Sequence, residues 1–148
     1  MSLLRTTSVT ARTAAMSFAI LALAGHASAA RAQSAHGGAP WDAPERAAHR
    51  PNPVLATDAA VERGRMVFQQ VCQLCHGAKG HGDGPMSTSL PIKPADLSSE
   101  HVQSQTDGAL FWKIYGGRGM MPTTQSTLTD EQRWAVVDYI RTLAAKRQ

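Results

Sequence analysis

The chain has 148 residues, which is enough for one ordinary domain. Its formal net charge of +4 comes from 15 basic and 11 acidic residues, and the basic residues are scattered along the chain. Aromatic residues make up only 5% of the sequence and are not interleaved with the basic ones, so the composition gives no support for nucleic-acid binding.

Residues 1–29 have the organisation of a secretory signal peptide. Arg5 and Arg12 form a basic start without acids, residues 13–25 are an apolar run, and Ala27-Ser28-Ala29 is a small-residue cleavage sequence. The apolar run is too short to span a bilayer core of roughly 30 Å, so we expect cleavage after Ala29 or slightly later rather than a retained anchor. The sequence therefore predicts export to the periplasm.

Residues 30–56 are expected to form a flexible, poorly structured arm ahead of a domain over residues 57–148. Prolines recur along the arm, and Pro51-Asn52-Pro53 excludes a helix interior. Trp41 is the exception to this bland composition. Trp41 could pack on the domain and hold the arm in place, or it could bind a partner. The simpler expectation is that the whole arm is a flexible tether.

A helix is predicted from Thr57 or Asp58 up to the first cysteine. Its apolar positions recur at helical spacing and form one stripe: Ala60, Gly64, Val67, Phe68 and Val71. Glycine lowers helix stability relative to alanine, so Gly64 within this stripe indicates close approach by another backbone.

The sequence Cys72-Gln73-Leu74-Cys75-His76 follows this helix and is the attachment motif of c-type haem. Two thiols one helical turn apart can each bond to a vinyl group on one haem edge, and the following histidine then lies under the iron. A redox dithiol would be expected in a βαβ setting, and a zinc site would need further Cys or His ligands. A disulfide between cysteines so close on a helix is poorly placed, so haem attachment is the favoured interpretation.

The remaining chain is predicted to alternate loops and helices. Residues 77–84 are a glycine-rich loop without the strand or Gly-Lys-Ser/Thr ending of a phosphate site, and we expect it to fold around the haem edge. A second helix begins at Ser104 or Thr106 and ends at Gly116-Gly117. A methionine-proline loop follows, and the capping box Thr129-Asp130-Glu131-Gln132 opens the last helix. The predicted fold is all-α, with three main helices and long loops around one covalently attached haem.

This order of elements resembles the class I monohaem cytochromes c over roughly residues 58–145. The matching motifs are Gly64-x-x-x-Phe68-x-x-x-Cys72-x-x-Cys75-His76-Gly77, Gly82-x-Gly84-Pro85, Pro94-Ala95-Asp96-Leu97, Gly117-x-Gly119-x-Met121-Pro122 and Trp134-Ala135-Val136-Val137-Asp138-Tyr139-Ile140-Arg141-x-Leu143.

The resemblance implies a role for each matching site residue. Cys72 and Cys75 would bind haem c covalently, and His76 would be the proximal iron ligand. The distal ligand would be Met121, which directly precedes the proline, with Met120 as the alternative.

Two further implications concern the surroundings of these ligands. A proline carbonyl would accept the proton of the non-ligating histidine nitrogen, and we assign it to Pro94, with Pro91 and Pro85 left open. Gly64 and Phe68 would meet the last helix near Tyr139. Without a methionine ligand, the site would be open or bis-histidine, with His81 and His101 as the candidates.

Histidine and methionine at both axial positions would leave no place for a substrate, so the sequence predicts an electron-transfer protein rather than an enzyme. The expected partners are a redox donor and an acceptor protein in the periplasm or at the membrane surface, without a small-molecule substrate. Two alternatives remain open: a fixed cytochrome subunit of a larger respiratory oxidoreductase, and a haem enzyme or gas sensor with an open iron.

Overall fold

The computed structural model describes residues 40–144, and the predicted signal peptide lies outside this part of the chain. The described residues form six helices and a short 3-10 turn, and no strand occurs among them. The helices are α1 Glu45–Ala48, α2 Asp58–Val71, α3 Gln73–His76, α4 Glu100–Gln103, α5 Asp107–Gly116 and α6 Asp130–Thr142, and the 3-10 turn is Ser87–Ser89. Between residues 40 and 144, no helix has both the length and the hydropathy needed to cross a bilayer.

The three long helices, α2, α5 and α6, are those that the sequence predicts, and each begins after a threonine. The side chains of Thr57, Thr106 and Thr129 each accept a hydrogen bond from the backbone N–H three residues further on. At α6 the side chain of Gln132 returns a bond to the Thr129 N–H at 2.8 Å, which confirms the predicted capping box.

The core forms where α2 crosses α6 at close range. A Cβ atom on Gly64 would collide with the carbonyl oxygen of Ala135, so the two backbones meet where only glycine fits. One turn later, the rings of Phe68 and Tyr139 lie 5.1 Å apart between centroids. The expected meeting of Gly64 and Phe68 with the last helix near Tyr139 is confirmed. The buried core around this crossing comprises Phe68, Leu97, Val102, Leu110, Phe111, Ile114, Trp134, Val136, Val137 and Ile140.

Within the described part of the arm, residues 41–52 pack on the domain, which differs from the flexible segment expected from its prolines. The hydroxyl of Thr106 donates to the carbonyl of Ala48 in α1 at 2.6 Å. The guanidinium of Arg50 lies 4.5 Å from the centroid of the Phe111 ring. Prolines exclude a helix interior, but they do not prevent an irregular segment from docking through its other side chains.

The structure shows which side chains contact Trp134 and Trp41, which the sequence does not predict. Trp134 falls outside the apolar stripe of α6, yet it is buried and stacks on Phe111 with ring centroids 4.2 Å apart. The ring of Trp41 lies 5.4 Å from the ammonium of Lys113 and 5.7 Å from the guanidinium of Arg118. Trp41 therefore packs on the domain, which is the first of its two proposed roles.

The crossing at Gly64 gives a stability prediction. Gly64→Ala should destabilise the folded holoprotein by about 1–3 kcal/mol, because the added methyl group meets backbone that cannot easily move aside. Gly116→Ala is the matched control, since an added Cβ atom there meets nothing within 4 Å. Thermal unfolding should show a lower midpoint for the first variant only. Equal midpoints for both variants would contradict the close approach of the two helices.

Asp138 gives a prediction on pH. Its Oδ1 accepts a hydrogen bond of 2.7 Å from Asn52, whereas its Oδ2 is buried without a partner among the described residues. Burial raises the pKa of Asp138, the charge of Asp107 raises it further, and the Asn52 bond opposes this rise. Asp138→Asn should therefore raise the thermal midpoint by a few degrees at pH 7, because it removes a buried charge.

The pH profile separates this explanation from a change in packing. Because the carboxyl pKa is raised in the folded state, the folded wild type binds a proton at higher pH than the unfolded chain does. The wild type should therefore gain stability relative to Asp138→Asn as the pH falls from 7 towards 4. A difference between the two midpoints that stays constant with pH would contradict the assignment.

Candidate haem site

The haem motif is built on a single helical turn that directly follows α2. Cys72 ends α2, and its N–H donates to the Phe68 carbonyl at 2.8 Å. The chain then continues as α3, in which the His76 N–H donates to the Cys72 carbonyl at 2.9 Å. Phe68 lies in the centre of the core, so the position of both cysteines is set by the crossing of α2 and α6.

The two thiols are free and partly buried, and their chemistry disfavours a redox dithiol. Burial raises the pKa of the Cys72 thiol to about 12, and the neighbouring Cys75 adds to the rise. Reactive dithiols have the opposite property, because a lowered pKa supplies the nucleophilic thiolate. The raised pKa of Cys72 therefore argues against a thiolate at this position in a redox dithiol.

The glycine-rich loop folds back along α3. The N–H groups of Gly82, Gly84 and Met86 donate to the carbonyls of His76, Cys75 and Leu74 at 2.8, 3.2 and 3.0 Å. A helix of one turn leaves its last carbonyls without partners, and these loop N–H groups satisfy them. The loop thus holds α3 in place without a regular secondary structure of its own.

The ring of His76 is oriented by a main-chain carbonyl. Its Nδ1 lies 3.1 Å from the carbonyl oxygen of Ala95, which leaves Nε2 available to bind a metal. The assignment to Pro94 is therefore corrected by one residue. The Pro94 carbonyl instead faces Gly82, where a Cβ atom would collide with it and where φ is +69°. Glycine adopts this conformation readily and leaves room for the Pro94 oxygen.

The protonation of His76 also suits a metal ligand. Burial lowers the pKa of the imidazole below its ordinary value, although the hydrogen bond to Ala95 acts in the opposite direction. A neutral imidazole is the form that binds iron through nitrogen.

The two other histidines considered as ligands lie in different settings. His81 has its Nδ1 3.2 Å from the Ser98 hydroxyl and 3.4 Å from the Asp96 carboxylate, and His101 is exposed on α4. Burial raises the pKa of Asp96, but the bonds from Ser98 and His81 outweigh this and leave it below its usual value. His81 thus belongs to a polar cluster that links the glycine-rich loop to the segment carrying Ala95.

The methionine loop distinguishes its two methionines by burial. Met120 is 59% exposed, whereas Met121 is partly buried and packs against the core. The N–H and carbonyl of Met121 exchange hydrogen bonds of 3.0 and 2.8 Å with those of Arg118, which closes a tight turn. Cys72 and Ala95 pack against the same core cluster as Met121.

The surroundings of the motif fit an apolar prosthetic group. Large apolar side chains within the motif and next to it along the chain are exposed, among them Val71 and Leu74, and Met86, whose N–H bonds to the Leu74 carbonyl, is exposed as well. An apolar group bonded to Cys72 and Cys75 would remove surface of this kind from water. The residues present therefore fit haem c, with two thiols for attachment and with His76 Nε2 and a methionine sulfur as donors.

A cavity of about 340 Å³ lies elsewhere, between the arm and the helices α5 and α6. It is lined by Ala47, Arg50, Gly108, Phe111, Trp112, Tyr115 and Asp130. None of these residues belongs to the haem motif or to the methionine loop. The two thiols and the imidazole that can hold a haem lie at α3, so the candidate site is there and not in this cavity.

Comparisons with known proteins identify the family and the fold. Residues 59–140 match the family model described as cytochrome c oxidase, cbb3-type, subunit III. A chain of the Kuenenia stuttgartiensis reducing HAO-like protein complex Kustc0457/Kustc0458 is 25% identical, with a TM-score of 0.57 over 63% of this chain. That match spans 47% of the Kuenenia chain, less than half of its length. The KustC0563 c-type cytochrome is 24% identical, with a TM-score of 0.50, and the match covers 55% of this chain and 98% of that one.

The family match extends from the first turn of α2 into the last turn of α6. It therefore includes the haem motif, the methionine loop and the three long helices. The structural similarity to the second protein shows the fold, and both comparisons agree with the class I resemblance. The chain therefore belongs to the cytochrome c family described as cbb3-type cytochrome c oxidase subunit III, and its cofactor is covalently bound haem c.

Proposed function

We propose that the protein is an exported carrier of single electrons in which His76 and Met121 are the axial ligands of the haem iron. The observation that carries this proposal most directly is the contact between His76 Nδ1 and the Ala95 carbonyl at 3.1 Å. A carbonyl oxygen accepts at Nδ1 only when that nitrogen carries the proton, and Nε2 is then free to bind iron. When bound, the haem supplies one-electron exchange between Fe(II) and Fe(III).

The protein's own residues account for the rest of the proposed activity. A neutral, oriented His76 and the thioether sulfur of Met121 would occupy both axial positions, which leaves no open position for a substrate. Sulfur ligation favours the ferrous state, so Met121 would raise the reduction potential. The partial burial of Met121 and the exposure of Met120 support this choice between the two.

The proposed location is the periplasm, on the basis of the basic, apolar and small-residue organisation of residues 1–29. The proposed partners are redox proteins that bind briefly, through contacts below roughly 1,200 Å². No small-molecule substrate is expected.

The ligand assignment is tested by two methionine variants of the holoprotein. Met121→Ala should remove the far-red sulfur-to-iron absorption band of the oxidised protein. It should also lower the reduction potential by a substantial part of the roughly 0.8 V range that axial ligands control. Met120→Ala should do neither, because that side chain faces solvent.

Two results would overturn the assignment. If the two variants exchange their behaviour, Met120 is the ligand. If covalent haem is present in the wild type without the far-red band, the iron is open, and the alternative of a haem enzyme or gas sensor replaces the carrier.

A fixed subunit of a larger oxidoreductase is the second candidate. The description of the family names an oxidase subunit, and the Kuenenia chain comes from a protein complex. Because residues 41–52 pack on the chain's own core, such a subunit would dock through another surface than this part of the arm.

Hydrodynamic measurements on the protein from its native source distinguish the two candidates. A free carrier should leave the membranes at moderate salt and elute at the mass of one chain with haem, because its contacts are small and short-lived. A subunit should instead co-elute with larger chains through successive ion-exchange and gel-filtration steps. Stable co-elution would therefore contradict the carrier.

A further inference from the structure

Arg133 is a buried charge that the proposed electron transfer does not require. It lies in the first turns of α6 and is 2% exposed. Its guanidinium donates to the Thr124 hydroxyl at 2.9 Å, to the Thr124 carbonyl, to the Gln125 carbonyl at 3.0 Å and to the Asp130 carboxylate at 2.7 Å. Three of these four bonds go to a loop and one to its own helix.

Stability alone is a poor explanation for such a residue. Burying a guanidinium carries a desolvation penalty, and apolar side chains of similar volume often stabilise a core as well or better. The single carboxylate partner, Asp130, is 55% exposed in its side chain, so solvent weakens the ion pair. The two bonds to Thr124 are buried, and they indicate that Arg133 fixes the position of this loop segment.

The loop segment that Arg133 binds is the downstream anchor of the methionine loop. Thr124 and Gln125 follow Met121-Pro122 after a single residue. The Thr124 hydroxyl also donates to the Ile114 carbonyl at 2.8 Å, and its N–H donates to the Tyr115 carbonyl at 3.2 Å. The segment is thus held between the end of α5 and the start of α6, with Arg133 providing the contact on the α6 side.

The upstream anchor is different in kind. There, Gly117 ends α5 by donating to the Lys113 carbonyl at 2.9 Å, and the turn from Arg118 to Met121 closes on itself. The backbone contacts at this end lie within α5 and within the turn. At the downstream end, the charged side chain of Arg133 binds the loop from α6.

We propose that Arg133 is the positioning residue of the methionine loop, which holds Met121 in the place where its sulfur can bind iron. This inference rests on the proposed ligation by Met121. Arg133 acts through the loop backbone and touches neither the haem motif nor Met121 in any of its hydrogen bonds.

Arg141 offers a matched control on the same helix, eight residues further on. Its guanidinium also binds one carboxylate and two main-chain carbonyls, those of Asp107 at 2.8 Å, Gln103 at 2.9 Å and Gln105 at 2.6 Å. These acceptors lie at and before the start of α5, away from the methionine loop. The two arginines therefore have similar bonding but hold different segments.

The test compares holoproteins of the wild type, Arg133→Lys, Arg141→Lys and Met121→Ala. Both arginine variants should unfold at lower temperature, because a lysine cannot reproduce the forked set of bonds. Only Arg133→Lys should weaken the far-red band of the oxidised protein and speed carbon monoxide binding to the reduced protein by roughly tenfold or more. Such an increase is the size expected when charge-assisted bonds that favour the closed site are lost.

Each outcome is decisive. If Arg133→Lys is destabilised like Arg141→Lys but keeps the wild-type band and carbon monoxide rate, Arg133 is merely structural and the inference is wrong. If the wild-type band is absent or survives in Met121→Ala, the ligand assignment itself fails. Should Arg133→Lys give no folded holoprotein, Arg133→Gln decides, because it removes the buried charge together with the forked set of bonds: a weaker band and faster carbon monoxide binding support the inference, and unchanged values overturn it.

Discussion

The close crossing of α2 and α6 is the contact on which the site depends. Gly64 has no side chain, so the α2 backbone can approach the Ala135 carbonyl closely. Phe68, one turn further along α2, lies in the core at this crossing. The Cys72 N–H donates a hydrogen bond to the Phe68 carbonyl. The position of α2 on α6 therefore determines where the haem motif begins. A shift of α2 along α6 would move both thiols relative to the loops that complete the site.

Main-chain groups, more than side chains, assemble the rest of the site. Three loop N–H groups bind the carbonyls of α3, the Ala95 carbonyl orients His76, and Arg133 binds two carbonyls after the methionine loop. Loops as long as these carry many backbone groups that need partners when they are buried. Here the hydrogen bonds that satisfy the buried backbone groups also hold the loops and orient the His76 ring.

The sequence predicts the local features of this protein well, because their signals are local. The threonine caps, the apolar stripe with Gly64, and the haem motif each lie within one helix or one turn. Contacts between distant segments leave no such pattern. Asn52 binds Asp138 across 86 positions, and the prolines beside Asn52 suggested a flexible chain instead. The acceptor for His76 was misplaced by one residue because every residue has a carbonyl, and only the conformation around Gly82 decides which one faces the ring.

Asp130 at the start of α6 links Arg50 of the arm to Arg133, and these two ion pairs differ from the bonds that Arg133 makes to the loop. One oxygen of Asp130 binds Arg133 at 2.7 Å, and the other binds Arg50 of the arm at 3.1 Å. Both Asp130 and Arg50 are about half exposed, so each pair is screened and contributes little on its own. The bonds from Arg133 to the hydroxyl and carbonyl of Thr124 are buried and keep more of their strength. Asp130 thus offsets part of the buried charge, and the neutral groups of Thr124 fix the position of the loop.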